Sequence, residues 1–203
     1  MKENRIVKNA VILFVIALIL SVLLGFTNEI TKDKIAEQNL KKKQDAYAAV
    51  YKDAVFGEDV DLSAQVANSE EVLAAAGFKG IVVNEVMTAR EASGAEGYAL
   101  NITTSNGYGG DIVLAIGVDA EGTLTGLEII SNSETAGLGA NCSKDAFKGQ
   151  FAGIKAEQIE FTKSGKTADN QIDAISSATI TTTAVTEAVN AGLYYVYNEI
   201  GLN

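Results

Sequence analysis

The sequence predicts an α+β protein: a single N-terminal transmembrane helix followed by a domain with an antiparallel sheet flanked by helices. Three observations carry this. Residues 9–26 are almost wholly apolar. Between residues 78 and 131, strand-like segments follow one another without the regular strand–helix alternation of a parallel sheet. From Ile180 onward, apolar or small residues recur at Ala184, Val185, Ala188, Val189, Leu193, Val196 and Ile200, the spacing of one helical face.

The apolar run, extended back to Ile6 or on to Thr27, reaches the ~20 residues that a helix needs to cross a bilayer. Lys2, Arg5 and Lys8 would suit a signal peptide. No small-x-small cleavage site follows, however, and the run exceeds the usual ~7–15 apolar residues. It reads as an uncleaved anchor in the lipid bilayer over residues 9–27, after a short tail at residues 1–8. Lys32, Lys34, Lys41, Lys42 and Lys43 follow the span, so a count of basic residues does not set its orientation.

Residues 28–67 are expected to form a helical stalk and linker. Tyr47, Val50, Tyr51, Ala54 and Val55 keep helical spacing, which carries the helix to about Phe56, with Gly57 ending it. The Lys41-Lys42-Lys43 run reads as a solvated face. A short helix follows over residues 69–77, with Ser69 as its cap, Glu70 and Glu71 in its first turn, and Gly77 at its end. The domain proper is placed at residues 68–203. Strands are expected at 78–87, at 97–104 with Tyr98, Leu100 and Ile102 on one face, and at 111–118, apolar on both faces. Asp119-Ala120-Glu121-Gly122 turns the chain into a partner strand at 123–131. A short helix over 143–151 and a strand over 159–163 precede the final helix.

Composition removes several function classes. The 203 residues carry a formal net charge of -10, which argues against nucleic acid as a partner. There is no histidine, so the commonest haem, zinc or copper ligand and the usual general base are missing, and no metal site is expected. The single cysteine, Cys142, can neither close an internal disulfide nor hold an iron–sulfur cluster. Electron transfer by such a chain would need an organic cofactor.

Three polar stretches stand out. Asp173-Ala174-Ile175-Ser176-Ser177-Ala178-Thr179-Ile180-Thr181 opens the final helix. Its Ser and Thr side chains can cap free N–H groups, and such a terminus also attracts phosphate. Ser105-Asn106-Gly107-Tyr108-Gly109-Gly110 joins two strands, so it lacks the following helix that a dinucleotide-binding loop requires. Asn132-Ser133-Glu134-Thr135-Ala136-Gly137-Leu138-Gly139 is a polar loop, in which glycine lets backbone N–H groups approach a ligand and Glu134 and Thr135 can bond the polar edge of a ring.

Together these stretches resemble the FMN-binding domain family, which includes the G subunit of the Rnf electron transport complex and the C subunit of the sodium-pumping NADH:quinone oxidoreductase. Asp173-x-x-Ser176-x-x-Thr179, with Ala178 before the threonine, resembles the family's flavinylation motif; Ser177 stands where Gly is usual. The Glu134 loop resembles a second motif, with Asn132 in place of histidine and Ala136 in place of proline. Tyr108 and Gly109 match the family's glycine loop.

The resemblance implies FMN joined by a phosphoester to Thr179. Asp173, Ser176, Ser177 and Ala178 would surround that attachment, and Glu134, Thr135, Gly137, Leu138, Gly139, Tyr108 and Gly109 would contact the flavin. It implies an electron-transfer subunit, not catalytic alone, in an ion-translocating ferredoxin:NAD+ oxidoreductase that moves sodium ions or protons. The implied partners are the A, B, C, D and E subunits of the Rnf complex and a magnesium-dependent flavin transferase for maturation. The implied place is the cell membrane, with a cytoplasmic N-terminus and an extracytoplasmic flavin domain. A part of the quinone oxidoreductase like its C subunit, or a non-catalytic flavin-binding or sensing module, is the alternative.

Overall fold

A computed structural model describes residues 3–58, 66–92 and 94–202. The chain divides into two compact units, Met1–Lys42 and Lys43–Asn203. Helix α1, Glu3–Val50, contributes to both. Within the first unit its apolar side chains, from Ile6 to Phe26, are exposed, and the helix is long and apolar enough to cross a membrane.

The second unit is built on a five-stranded antiparallel sheet in the order β1-β2-β3-β4-β5: Val55–Glu58, Ile81–Arg90, Glu96–Thr104, Ile112–Val118 and Leu124–Asn132. Helix α2 is Ser69–Ala75. After β5 come a 3-10 turn at Gly139–Ser143, the short helix α3 at Asp145–Lys148, and strands β6 (Glu160–Thr162) and β7 (Gln171–Asp173), which pair in parallel. Helix α4, Thr179–Tyr195, passes into a π-helical turn at Val196–Ile200.

In the central strands β3 and β4, side-chain size divides the two faces of the sheet. Leu100, Ile102, Ile112, Leu114 and Ile116 are fully buried with Ala184, Val185, Ala188 and Val189 of α4 in the main core. Each such Leu or Ile contributes about 1.5–3 kcal/mol by leaving water. Gly192 lets α4 sit close, since a methyl group there would press on Ile102 and Ile116. The other face presents Ala99 and Ala115, on which Ala46, Tyr47 and Val50 from the end of α1 pack. Gly117 and Gly126 leave room there for the Val50 backbone. Thr125 Oγ1 donates to the Val50 carbonyl, and the Tyr47 hydroxyl donates to Glu85. Lys43, expected on a solvated face, forms a 2.9 Å ion pair with Glu85.

Several expected boundaries move. The helix stops at Val50 rather than near Phe56, and the chain turns through Asp53, at φ 60. Val55–Glu58, including Gly57, is the edge strand β1, paired with Met87–Arg90 of β2, so the expected linker begins later. Most of that linker falls at residues 59–65, outside the described residues. Ser69 does not cap α2; the cap position is Asn68, and the Ser69 hydroxyl donates to the Val83 carbonyl at 2.8 Å. The turn at residues 119–122 closes as expected, with Gly122 at φ 79.

Candidate functional site

Three chain segments meet at the N-terminal end of α4. They are the loop after β3, the loop after β5 and the turn between β7 and α4. They enclose a pocket of about 560 Å³ lined by Tyr108, Glu134, Thr135, Leu138, Gly139, Ser177, Ala178, Thr179, Ile180 and Thr181. A volume between about 300 and 1,000 Å³ is usual for a cofactor site.

The turn is fastened at both ends. The Asp173 N–H donates to Gln150 Oε1 at 2.7 Å, and Gln150 Nε2 donates to the Asp173 carbonyl at 3.3 Å. The Thr182 hydroxyl accepts from the Ile175 N–H at 3.1 Å and donates to the Ala178 carbonyl at 2.9 Å. Between these ties Ser177 adopts φ 60, a left-handed conformation that suits glycine better. α4 begins at Thr179 with Ala178 at its cap position and no side-chain capping bond. The Ser/Thr cluster therefore does not cap the helix. Its first N–H groups meet the pocket without a capping side chain, and with the helix dipole they favour an anion there.

Glu134 joins the three segments. Its carboxylate is buried and accepts from the Gly109 N–H at 2.9 Å and from the Thr181 hydroxyl at 2.5 Å. The Asn132 side chain accepts from the Glu134 N–H at 3.1 Å. A methyl group on Gly107 or Gly139 would collide with the Glu134 carboxylate, so both positions need glycine for close approach. Around the mouth, Tyr108, Leu138 and Ile180 are 70%, 43% and 53% exposed. Apart from Val55, they are the only large hydrophobic side chains of the Lys43–Asn203 unit exposed among the described residues. An apolar ring with a polar edge and a phosphate tail matches this donor set: apolar walls, hydroxyls and a helix N-terminus.

Of the residues named from sequence, Tyr108, Glu134, Thr135, Leu138, Gly139, Ser177, Ala178 and Thr179 line the pocket. Gly109 serves it through Glu134, and Gly137, at φ 79, turns the loop. Ser176 is exposed outside the lining. Asp173 opens instead on a separate cleft with Asn141, Lys144, Gln150 and Lys166. Ile180 and Thr181 join the lining without being among the expected site residues. Periodicity assigns Ile180 to the buried face of α4, yet it sits on the first turn, where it faces the pocket mouth. Thr181 lies in the polar stretch, but nothing local marks its bond to a glutamate 47 residues away.

The chain has recognisable relatives among known proteins. Residues 107–194 match the FMN-binding domain, and residues 1–50 match the RnfG N-terminal region. The chain is 32% identical over 196 residues to the G subunit of the Na+-translocating ferredoxin:NAD+ oxidoreductase complex of Acetobacterium woodii, covering 94% of this chain and 91% of that one. It is 30% identical over 204 residues to the G subunit of the ion-translocating oxidoreductase complex of Shewanella amazonensis, covering 96% and 89%. The fold is shared with the C subunit of the Na+-translocating NADH-quinone reductase from Parabacteroides distasonis, at a TM-score of 0.54 and 23% identity over 85% of this chain and 95% of that one. With its apolar N-terminal helix and its FMN-binding domain, the chain belongs to the RnfG family, the G subunits of ion-translocating oxidoreductase complexes.

Proposed function

We propose that the chain is a membrane-anchored flavoprotein subunit that carries FMN on Thr179 through a phosphoester. It relays electrons within an ion-translocating ferredoxin:NAD+ oxidoreductase complex, together with that complex's other subunits. The observation that carries the attachment point is the state of the hydroxyls in the first turns of α4. Thr181 donates to Glu134, Thr182 to the Ala178 carbonyl, and Thr183 to the Thr179 carbonyl. Of these four threonines, Thr179 alone keeps its hydroxyl without a hydrogen bond among the described residues, and it lines the pocket.

Bound FMN would supply reversible electron uptake and release. The chain's own residues would fix where that happens. The open N–H groups of α4 hold the phosphate, Tyr108, Leu138 and Ile180 cover the ring and exclude water, and Glu134 keeps the three loops in register. A threonine hydroxyl needs a base or a metal to become a nucleophile. The chain has no histidine, and the carboxylate in the pocket is bonded to Thr181 rather than Thr179. Attachment therefore falls to a separate flavin transferase. Asp173, facing away from the pocket lining, suits recognition by that enzyme better than contact with the flavin.

Residues 9–27 contain no ionisable side chain, so the ion path belongs to other subunits. On this reading the N-terminus is cytoplasmic and the flavin domain extracytoplasmic. Denaturing electrophoresis of protein from a host that has the transferase tests the attachment. A fluorescent flavin band is expected in wild type, Ser177→Ala and Thr181→Val, and is lost in Thr179→Val. A band that persists in Thr179→Val overturns it.

A further inference from the structure

A second cleft, of about 660 Å³, lies at the other end of α4 from Thr179. Phe78, Tyr194 and Tyr197 supply its aromatic surface, and Glu157, Gln158 and Asn198 its polar surface. The Phe78 and Tyr194 rings are 5.7 Å apart, tilted by 52°. No lysine or arginine lines the cleft among the described residues. The backbone here departs from α-helical form: the π-helical turn Val196–Ile200 carries Tyr197 and Asn198 into the wall. The Tyr197 hydroxyl is anchored on the Gly122 carbonyl at 2.8 Å. Burial, and after it the Glu157 and Asp119 carboxylates, push that phenol's pKa up, so negative charge faces this wall.

Aromatic faces beside a carboxylate, with amides nearby and no competing cation, select a planar cation. The whole chain is acidic, at -10, which favours a basic partner over long range as well. We propose that this cleft receives an arginine side chain presented by a basic segment of a partner protein, its guanidinium stacked on Tyr194 and paired with Glu157. The inference does not depend on where the flavin is attached, because the cleft shares no residue with the flavin pocket.

The test uses the full chain in detergent micelles with isotope-labelled tyrosine, whose 7 rings report separately by NMR. The probe is a capped glycine–arginine–glycine tripeptide, compared with the same peptide carrying neutral, isosteric citrulline. The arginine peptide is expected to shift the Tyr194 and Tyr197 signals and to leave those of Tyr47 and Tyr108 in place. Replacing arginine by citrulline, or Tyr194 by leucine, raises the half-saturating concentration about tenfold, and Glu157→Gln about fivefold. Glu157 is exposed, so that variant is expected to keep the fold. Equal saturation by the citrulline peptide, no shift at Tyr194 and Tyr197, or binding unchanged in Glu157→Gln overturns the proposal.

Discussion

Thr181 Oγ1 lies 2.5 Å from Glu134 Oε2, and this contact locks the first turn of α4 to the loop after β5. The other carboxylate oxygen takes the Gly109 N–H, so one buried acid holds all three walls of the pocket. Replacing Glu134 by alanine leaves two donors unsatisfied and is expected to destabilise the domain by about 2–4 kcal/mol. Thr181→Val is expected to cost about 1.5–3 kcal/mol. The double variant should cost less than the sum, because both changes break the same bond. Urea denaturation followed by circular dichroism gives all three values; strict additivity would show that the bond is not a shared tie.

Gly139 makes that contact possible. A side chain there would occupy the space between the Glu134 carboxylate and the Thr181 hydroxyl. Gly139→Ala is expected to cost about 1–3 kcal/mol through overpacking, and to lower FMN loading along with stability. Both are read from the same purified sample, by denaturation and by the ratio of flavin to protein absorbance.

Ser177 carries backbone strain at φ 60. Ser177→Gly is expected to raise stability by about 0.5–1 kcal/mol, since glycine adopts this conformation without the Cβ penalty. Ser177→Val should lower it by about 1 kcal/mol or more. Thermal melts of the two variants should therefore move in opposite directions from wild type.

Alkaline pH should weaken the domain. Burial raises the phenol pKa of Tyr47, Tyr51, Tyr195 and Tyr197, reinforced at Tyr47 by its bond to Glu85 and at Tyr51 by its bond to Glu91. The bond to Glu128 raises the Lys148 ammonium. A group whose folded pKa lies above its unfolded value gives its full stabilisation below the unfolded pKa. It loses that stabilisation as pH climbs toward the folded one. For tyrosine the unfolded value is about 10, so the melting temperature should fall above about pH 10. Phenolate absorbance should rise for these four tyrosines together with unfolding rather than before it.

The legibility of the chain follows from the range of each interaction. Long periodic segments are readable: the anchor, the strands from β2 to β5 and the buried face of α4 all rest on local repetition. Short pieces are not. The spacing of Tyr47, Val50, Tyr51, Ala54 and Val55 suggests one continuous helix, but only Tyr47 and Val50 lie in α1, Tyr51 follows it buried, and Val55 starts an edge strand with its side chain exposed. β7 has only three residues and is held by pairing with β6, which no local pattern announces. In the site, the motif segments are legible and their division of labour is not. By sequence Glu134 is free to contact a ring, yet both its oxygens are engaged by protein groups from distant segments. Asp173, within the same short motif as Thr179, opens on a different cleft.

The Thr179 hydroxyl is the proposed point of attachment. Mass spectrometry of the tryptic peptide containing it, from natively expressed complex, is the most direct measurement. A peptide heavier by one FMN less one water is expected, with fragment ions locating the addition at Thr179. A peptide of unmodified mass, or an addition located at Ser176, Ser177 or Thr181, would contradict it.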